Sequence, residues 1–415
     1  MTKPSPIILA MGTRPEIIKM APVALALRQA GMPCEILHTG QHGDQTSLPL
    51  YQFFGVQPHY SLSLTRHKPG LGALSAELMD KLSEQLESVS PSAVLVHGDT
   101  SSAFMAALAA FYLHIPIGHV EAGLRSGNMR EPFPEEMNRS MIGRLARWHF
   151  APTQQAVENL RNEGIRQGVE QVGNTVVDAV QWAAMHLHQL KVQGHAPDVP
   201  ALRWLADSGC ASLVLVTAHR RENWESMASI AQSVQEILAA RPELGVVWPL
   251  HPNPAVQQTV RGVYDAAPAN IQSRWLLTEP LEYAPMVAFM VQADVLLTDS
   301  GGIQEEGVSL HKPVLVLRNV TERPELIRCG AGKLVGTDPT TVVGETLRLL
   351  QNSAERHAMQ QAENPFGDGQ AAKRIAERLR LDLARGQVAA ATTAAIAPES
   401  AAKTPTLVAS YTSMQ

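Results

Sequence analysis

What most constrains this chain is its rhythm. Short runs rich in Val, Ile and Leu alternate with longer stretches of helical period, and the apolar runs end in turns bearing Gly, Asp or Pro. Parallel strands buried on both faces read as continuous apolar runs, and each must be joined to the next by a crossover long enough to hold a helix. The class that meets both conditions is α/β. A first series of strands is predicted at 7–11, 34–37, 93–96, 115–118 and 148–151, and a second at 213–217, 246–248, 275–277, 295–298, 314–317 and 333–335. Between them a helical segment at 176–190 is followed by Gly194, Pro197 and Pro200, which places a hinge within 193–200. Past Arg385 the chain turns rich in Ala, Thr, Ser and Pro. Residues 386–415 have too few large apolar side chains to offset the entropy of ordering, and are expected to form a disordered tail.

At 415 residues the simplest division is into two domains. A formal charge of -5, from 34 Lys and Arg against 39 Asp and Glu, offers no basic field for a nucleic-acid backbone, so no nucleic-acid partner is expected. The longest apolar stretch, 103–113, is far shorter than the ~20 residues of a membrane-spanning helix. With no signal-peptide pattern at the start, the expectation is a cytoplasmic protein without a membrane partner. Cys34, Cys210 and Cys329 are odd in number and widely spaced, which argues for small core residues rather than a disulfide framework or a zinc site.

In parallel α/β sheets ligands sit beyond the carboxyl ends of the strands, so the polar residues that follow each apolar run are the candidates. After the first run comes Gly12-Thr13-Arg14-Pro15-Glu16-Ile17-Ile18-Lys19. Arg14 and Lys19 there can face an anion at a helix N-terminus, or can simply be solvated cations on a capped helix. Asp99, in His97-Gly98-Asp99-Thr100, and Glu121, in His119-Val120-Glu121, close two further strands. Carboxylates converging on one pocket push their pKa values apart and divide acid and base work. The structural alternatives are a helix cap for Asp99 and an ion pair with Arg125 for Glu121. The stiff Pro132-Phe133-Pro134 loop can aim Glu135 into the same cleft, although Glu135 also stands four residues before Arg139, at ion-pair spacing.

In the second series Thr217-Ala218-His219-Arg220-Arg221 puts a histidine and two arginines at a strand end, and His251 sits similarly between prolines. Thr298-Asp299-Ser300-Gly301-Gly302-Ile303-Gln304-Glu305-Glu306 carries a strand into a Ser-Gly-Gly turn that opens a helix. Two glycines let backbone N–H groups approach a diphosphate, and Glu306, one turn in, can accept ribose hydroxyls. Arg323 adds a cation after the next strand. Together these residues point to an anionic, nucleotide-bearing ligand held between two domains beside several carboxylates.

Seven blocks carry a family resemblance: Gly12-Thr-Arg-Pro-Glu-x-x-Lys-Met-Ala-Pro22, His97-Gly-Asp-Thr100, His119-Val-Glu-Ala-Gly-Leu-Arg125, Pro134-Glu-Glu-x-Asn-Arg139, Thr217-Ala-His-Arg-Arg-Glu222, Thr298-Asp-Ser-Gly-Gly-Ile-Gln-Glu-Glu306 and Thr321-Glu-Arg-Pro-Glu325. In this order, over about residues 7–380, they resemble the non-hydrolysing UDP-N-acetylglucosamine 2-epimerases. The resemblance implies two Rossmann-like domains with a cleft between them, as in B-type (GT-B-like) glycosyltransferases, and a homodimer. It implies a first domain over 1–190 with the catalytic carboxylates, a UDP-binding domain over 200–367, and a helix at 368–385 that packs back on the first domain. No metal and no nicotinamide or other cofactor is expected, the partner being the UDP-amino sugar substrate.

The implied reaction interconverts UDP-GlcNAc and UDP-ManNAc, by anti-elimination of UDP to 2-acetamidoglucal and re-addition. Asp99, Glu121 and Glu135 match the family's catalytic acids and His219 the residue that aids the departing diphosphate. Arg14, Lys19, Ser300, Gly301, Gly302, Glu306 and Arg323 match contacts to the UDP-sugar. Where family members carry Gln and an aromatic beside the uracil, this chain has Leu281 and Met286. Gly43, Asp44 and Glu77 replace residues of the family's allosteric UDP-GlcNAc site and argue against such a site here. The rival readings are an epimerase of a modified sugar such as UDP-2,3-diacetamido-uronic acid, a GT-B-type glycosyltransferase and, from a non-enzymatic class, a UDP-sugar sensor.

Overall fold

A computed structural model describes residues 5–396 apart from 42, 66, 67, 196 and 198. The first series of strands is β1 (Ile7–Met11), β2 (Cys34–His38), β3 (Tyr60–Ser61), β4 (Ala93–His97), β5 (Ile117–Val120), β6 (Trp148–Ala151) and β7 (Val169–Gln171). The second is β8 (Ser212–Thr217), β9 (Leu244–Pro249), β10 (Trp275–Thr278), β11 (Val295–Thr298), β12 (Val314–Val316) and β13 (Gly332–Leu334). Their sheets run in the orders β3-β2-β1-β4-β5-β6-β7 and β10-β9-β8-β11-β12-β13. Pairing is parallel throughout. In each the order reverses beside the first strand of the series, between β1 and β4 and again between β8 and β11, as in the doubly wound fold. Two Rossmann-like units follow, and their switch points are where a ligand crevice belongs.

β1, β4, β5, β6 and β9 are buried along their whole length, which is why they are legible as unbroken apolar runs. Two strands were not predicted, β3 and β7, both short and at the sheet edges. The strand predicted at 115–118 is corrected to Ile117–Val120. His114 takes a left-handed φ of 58° and Pro116 has no N–H to give, so pairing begins at Ile117 and Glu121 follows the strand directly.

Helix Thr175–Val192 packs on helix Arg14–Gln29 and also touches helices Tyr283–Gln292 and Gly301–Ser309 of the second unit. Phe53, Phe54, Trp182 and Tyr283 gather there with ring centroids 5.1 to 6.0 Å apart. One apolar core therefore runs from the first unit into the second beneath the cleft. Helix Ala371–Ile396 lies against the first unit: Asp178 accepts hydrogen bonds from the N–H groups of Ala371 and Ala372 at 3.3 and 3.0 Å, and Trp148 Nε1 donates to Asp382 at 2.8 Å. This helix continues past 385, the end expected from composition, to Ile396. The rest of the expected tail, 397–415, lies outside the described residues. Among the described residues no helix is long and apolar enough to cross a membrane.

Candidate active site

The turn after β1 is tight because a Cβ on Gly12 would stand 1.8 Å from Thr39 Oγ1. Helix Arg14–Gln29 opens with a capping box: the buried Glu16 carboxylate accepts from the N–H groups of Gly12 and Thr13 at 2.9 and 2.8 Å, and from the Thr100 hydroxyl at 2.6 Å. That box fixes the helix start and aims Arg14 and Lys19 across the cleft. Arg14 Nη2 donates to the Leu281 carbonyl at 3.2 Å, and its Nη1 lies 3.4 Å from Glu282. Lys19 Nζ pairs with the Glu121 carboxylate of its own unit and stands 3.6 Å from Glu305 of the other. Burial works against the ammonium charge, but Glu121 and Glu305 outweigh it and hold the Lys19 pKa above its usual value.

Glu121 occupies a left-handed backbone conformation (φ 64°), an unusual state for a side chain other than glycine and one that concentrates at functional sites. Its carboxylate also accepts from Asn174 Nδ2 at 3.2 Å and stands 3.5 Å from His97 Nε2. Burial raises its pKa, but Lys19 first, with His97 and Arg323, overrides this and holds it at about 2. Burial pushes His97 down to about 4, so at neutral pH its ring adds a close polar neighbour rather than a charge. Asp99 is the opposite case. Burial raises it to about 6, Arg139 pulls it down, and Glu121 and Glu135 push it up.

The structural alternatives for the acids fail one by one. The cap of helix Ser101–Tyr112 is Thr100, whose hydroxyl accepts from Ala103 N–H at 3.0 Å, and not Asp99. Arg125 pairs with Glu163, Nη2 to Oε2 at 2.9 Å, and not with Glu121. Arg139 Nε lies 3.2 Å from Glu136 and its Nη2 3.3 Å from Asp99. The Glu135 side chain, half-buried at the start of helix Glu135–Leu145, has no ion pair among the described residues. Glu136 is the structural acid of the pair, buried and accepting from the N–H groups of Ser126 and Gly127 at 3.0 and 3.1 Å.

At the second switch point the buried Asp299 ties two strand ends together. It accepts from His219 N–H at 2.9 Å, Arg220 N–H at 2.9 Å and Asn223 Nδ2 at 3.0 Å. His219 Nδ1 is 3.4 Å from Asp299, and its ring lies nearly parallel to that of His251, with centroids 6.3 Å apart. Burial above all, with Arg220 and His251, keeps the imidazole below its usual pKa against the pull of Asp299, so it is neutral at pH 7.

A cavity of about 400 Å³ opens here, and Arg14, His219, Leu281, Met286, Ser300, Gly302 and Glu306 all line it. Helix Gly301–Ser309 begins at its wall without a side-chain cap, so its first N–H groups are available to an anion. A Cβ on Gly302 would meet nothing nearer than Ser300 Oγ at 3.9 Å, whereas one on Gly301 would stand 3.2 Å from Arg323 Cζ. Gly302 thus faces the cavity and Gly301 backs onto Arg323, whose Nε donates to Glu305 at 2.8 Å. Burial and the neighbouring Glu305 push the Glu306 carboxyl up to about 8.

The structure thus sorts the predicted residues into the cavity of about 400 Å³, a cross-cleft ion network in which Lys19, Glu121 and Arg323 meet Glu305, and Asp99 with Glu135 beside it. It adds His97, Asn174, Tyr283, Asp299, Glu305 and Arg139, which sequence reasoning did not place in the site. Tyr283 is buried, and its hydroxyl has no hydrogen-bond partner among the described residues although its residue lines the cavity. Four of the six lie inside blocks already marked, so block membership is the signal that would have found them; Tyr283 lies between Leu281 and Met286, and Asn174 had only its Gly-Asn turn.

The sequence model of the family described as UDP-N-acetylglucosamine 2-epimerase matches residues 25–380. The chain belongs to this family. The UDP-N-acetylglucosamine 2-epimerase of Salmonella typhimurium is 40% identical over 379 residues, which span 90% of this chain and 98% of that relative. The crystal structure of the Neisseria meningitidis UDP-GlcNAc 2-epimerase bound to UDP-GlcNAc superposes with a TM-score of 0.78 at 38% identity, covering 90% of this chain and 99% of that one. S. aureus MnaA in complex with UDP gives 0.76 at 36% identity, over 91% and 97% of the two chains. The expected class, two Rossmann-like units in a GT-B-like arrangement, is the observed one.

Proposed function

We propose that this family member is a non-hydrolysing UDP-N-acetylglucosamine 2-epimerase. The observation that carries the reading is the meeting of the two switch points. Lys19 joins Glu121, at the end of β5, to Glu305, in the helix that walls the nucleotide cavity. A ligand gripped at the second unit therefore presents its sugar to the acids of the first. Relatives with UDP-GlcNAc or UDP bound support the same ligand class.

In this reading the diphosphate takes the open N–H groups of helix Gly301–Ser309 with Arg323 and Lys19, Glu306 accepts the ribose hydroxyls, and Leu281 and Met286 flank the base. Methionine covers a ring face through its polarizable sulfur. The hexose faces Asp99, Glu121 and Glu135. One carboxylate removes the C2 proton while the C1–O bond breaks and its electron pair leaves on the diphosphate, giving 2-acetamidoglucal and UDP. Positive charge develops at C1, and ionised Glu121 stabilises it. A proton is then returned to C2 on the opposite face as a UDP oxygen reattaches at C1. Atoms and charge balance without redox. Neutral His219 can donate a hydrogen bond to the departing diphosphate. The division of proton removal and return among coupled carboxylates belongs to the set rather than to one residue. The reading includes a cytoplasmic homodimer, as the family resemblance implies.

The test is incubation with UDP-GlcNAc in deuterated water, following C2 by NMR. Deuterium at C2 with formation of UDP-ManNAc is the expected outcome. Free sugar plus UDP, or a manno product without deuterium, overturns the proposal.

A further inference from the structure

We propose that Arg139 is a positioning residue for this reaction, a clamp that fixes the Asp99 carboxylate to the helix carrying Glu135 so that the two acids work as one proton-transfer unit. The inference rests on the epimerase reading. Its geometry starts from the register of helix Glu135–Leu145. Arg139 lies one turn in from Glu135, and its Nε points back at that first turn, 3.3 Å from the Glu135 carbonyl and 3.2 Å from the Glu136 carboxylate. That anchors the fork at one end. The other end, Nη2, stands 3.3 Å from Asp99 Oδ2. The neighbouring Asn138 repeats the link through the backbone, its Nδ2 donating to the Asp99 carbonyl at 2.8 Å. Two consecutive residues of one helix thus hold the loop after β4.

The Arg139 side chain is only 12% exposed, and it makes no other ion pair among the described residues. A guanidinium this well buried is held by its partners, so the position of Asp99 relative to Glu135 is set by the arginine rather than by solvent.

The clamp also has an electrostatic consequence. The charged groups facing Asp99 are Arg139 and Glu135 from this helix, Glu121 from the loop after β5 and Lys19 from helix Arg14–Gln29. Arg139 is the strongest of the influences that oppose burial. Lys19 is engaged by Glu121 and Glu305, and so acts on Asp99 only from a distance. A proton-transfer group works best with its pKa near the operating pH, which an opposite charge at this range tunes by about 1–3 units.

The experiment is the pH profile of kcat/KM, measured by NMR on UDP-GlcNAc for the full chain and for Arg139→Met, Arg139→Lys and Glu136→Gln. In the parent an ionisation near 6 is expected. In Arg139→Met it moves up by about one pH unit or more, and in Arg139→Lys it stays near the parent's. Glu136→Gln leaves an amide oxygen for Arg139 Nε and keeps the guanidinium beside Asp99, so its ionisation stays in place whatever the lost charge does to stability. Uniform loss of rate in Arg139→Met without movement of the ionisation would show a purely structural arginine and overturn the inference. If Arg139→Met fails to fold, the Lys variant decides: a profile moved as far as removal of the charge requires contradicts the clamp. A parent that does not epimerise UDP-GlcNAc rejects the functional reading instead, so the two failures are distinguishable.

Discussion

Replacing Lys19 with methionine removes the cation that two buried carboxylates share across the cleft. The side chains of Lys19, Glu121 and Glu305 are 13%, 10% and 4% exposed, so solvent does little to screen the loss. Breaking a buried pair by deleting one partner costs about 3–5 kcal/mol. Glu121 can escape by taking up a proton, which at neutral pH costs an ordinary glutamate about 3–4 kcal/mol, being ~2.7 units at ~1.36 kcal/mol each. The two figures agree, and the second depends on pH in a defined way. In the parent, the depressed pKa of Glu121 contributes stability that is whole above about 4.3 and lost as pH falls toward about 2, so between pH 7 and pH 5 that contribution is constant. In the variant, burial acts unopposed by Lys19 and raises the group, so its penalty is greatest at pH 7 and shrinks to about 1 kcal/mol at pH 5. Urea unfolding of parent and Lys19→Met, followed by tryptophan fluorescence at both pH values, reads the gap. An equal gap at both, or none at either, refutes the claim that this pair is a buried ion bridge.

Three further outcomes follow from the geometry. Asp99→Asn and Glu135→Gln each lower kcat by about 10²–10⁴ while calorimetry shows UDP bound as before, since neither side chain lines the nucleotide cavity. Gly302→Val fills the open space above the helix start and weakens UDP binding at least about tenfold, with little change in thermal unfolding because the nearest atom the new Cβ meets is Ser300 Oγ at 3.9 Å; undiminished affinity would remove the nucleotide from that helix. In the parent, UDP affinity rises as pH climbs through about 8, because the ionised Glu306 accepts from both ribose hydroxyls more strongly than the protonated acid, one of whose oxygens carries a proton, and Glu306→Gln flattens that profile.

How legible the molecule is from sequence depends on how far apart the interacting residues lie. Strands buried on both faces announce themselves through composition, whereas β3 and β7 are brief edge strands with exposed positions and carry no such signal. The apolar run Ile115-Pro116-Ile117 misleads because composition does not show which residue first offers a paired N–H. The strand-end rule locates Asp99, Glu121, His219 and Ser300 to Glu306, since it follows from parallel topology alone. Partner choice does not follow from it. Arg125 turns to Glu163, Arg139 to Asp99, and Arg14 to the carbonyl of Leu281, 267 positions away, because tertiary packing decides which charges meet. The same holds for Glu305, indistinguishable from Glu306 in the sequence until the structure turns one toward Lys19 and the other into the cavity.

The claim at the centre of this account is that the sugar is cut from its diphosphate and rejoined within one cleft. UDP-GlcNAc carrying a heavy-oxygen label in the bridge between C1 and the β-phosphorus tests it directly, read by phosphorus NMR during turnover. The label is expected to spread from the bridge into the non-bridging β-phosphoryl positions as UDP-ManNAc accumulates. Epimerisation with the label held in the bridge through many turnovers, and with no 2-acetamidoglucal in the quenched reaction, would contradict that claim.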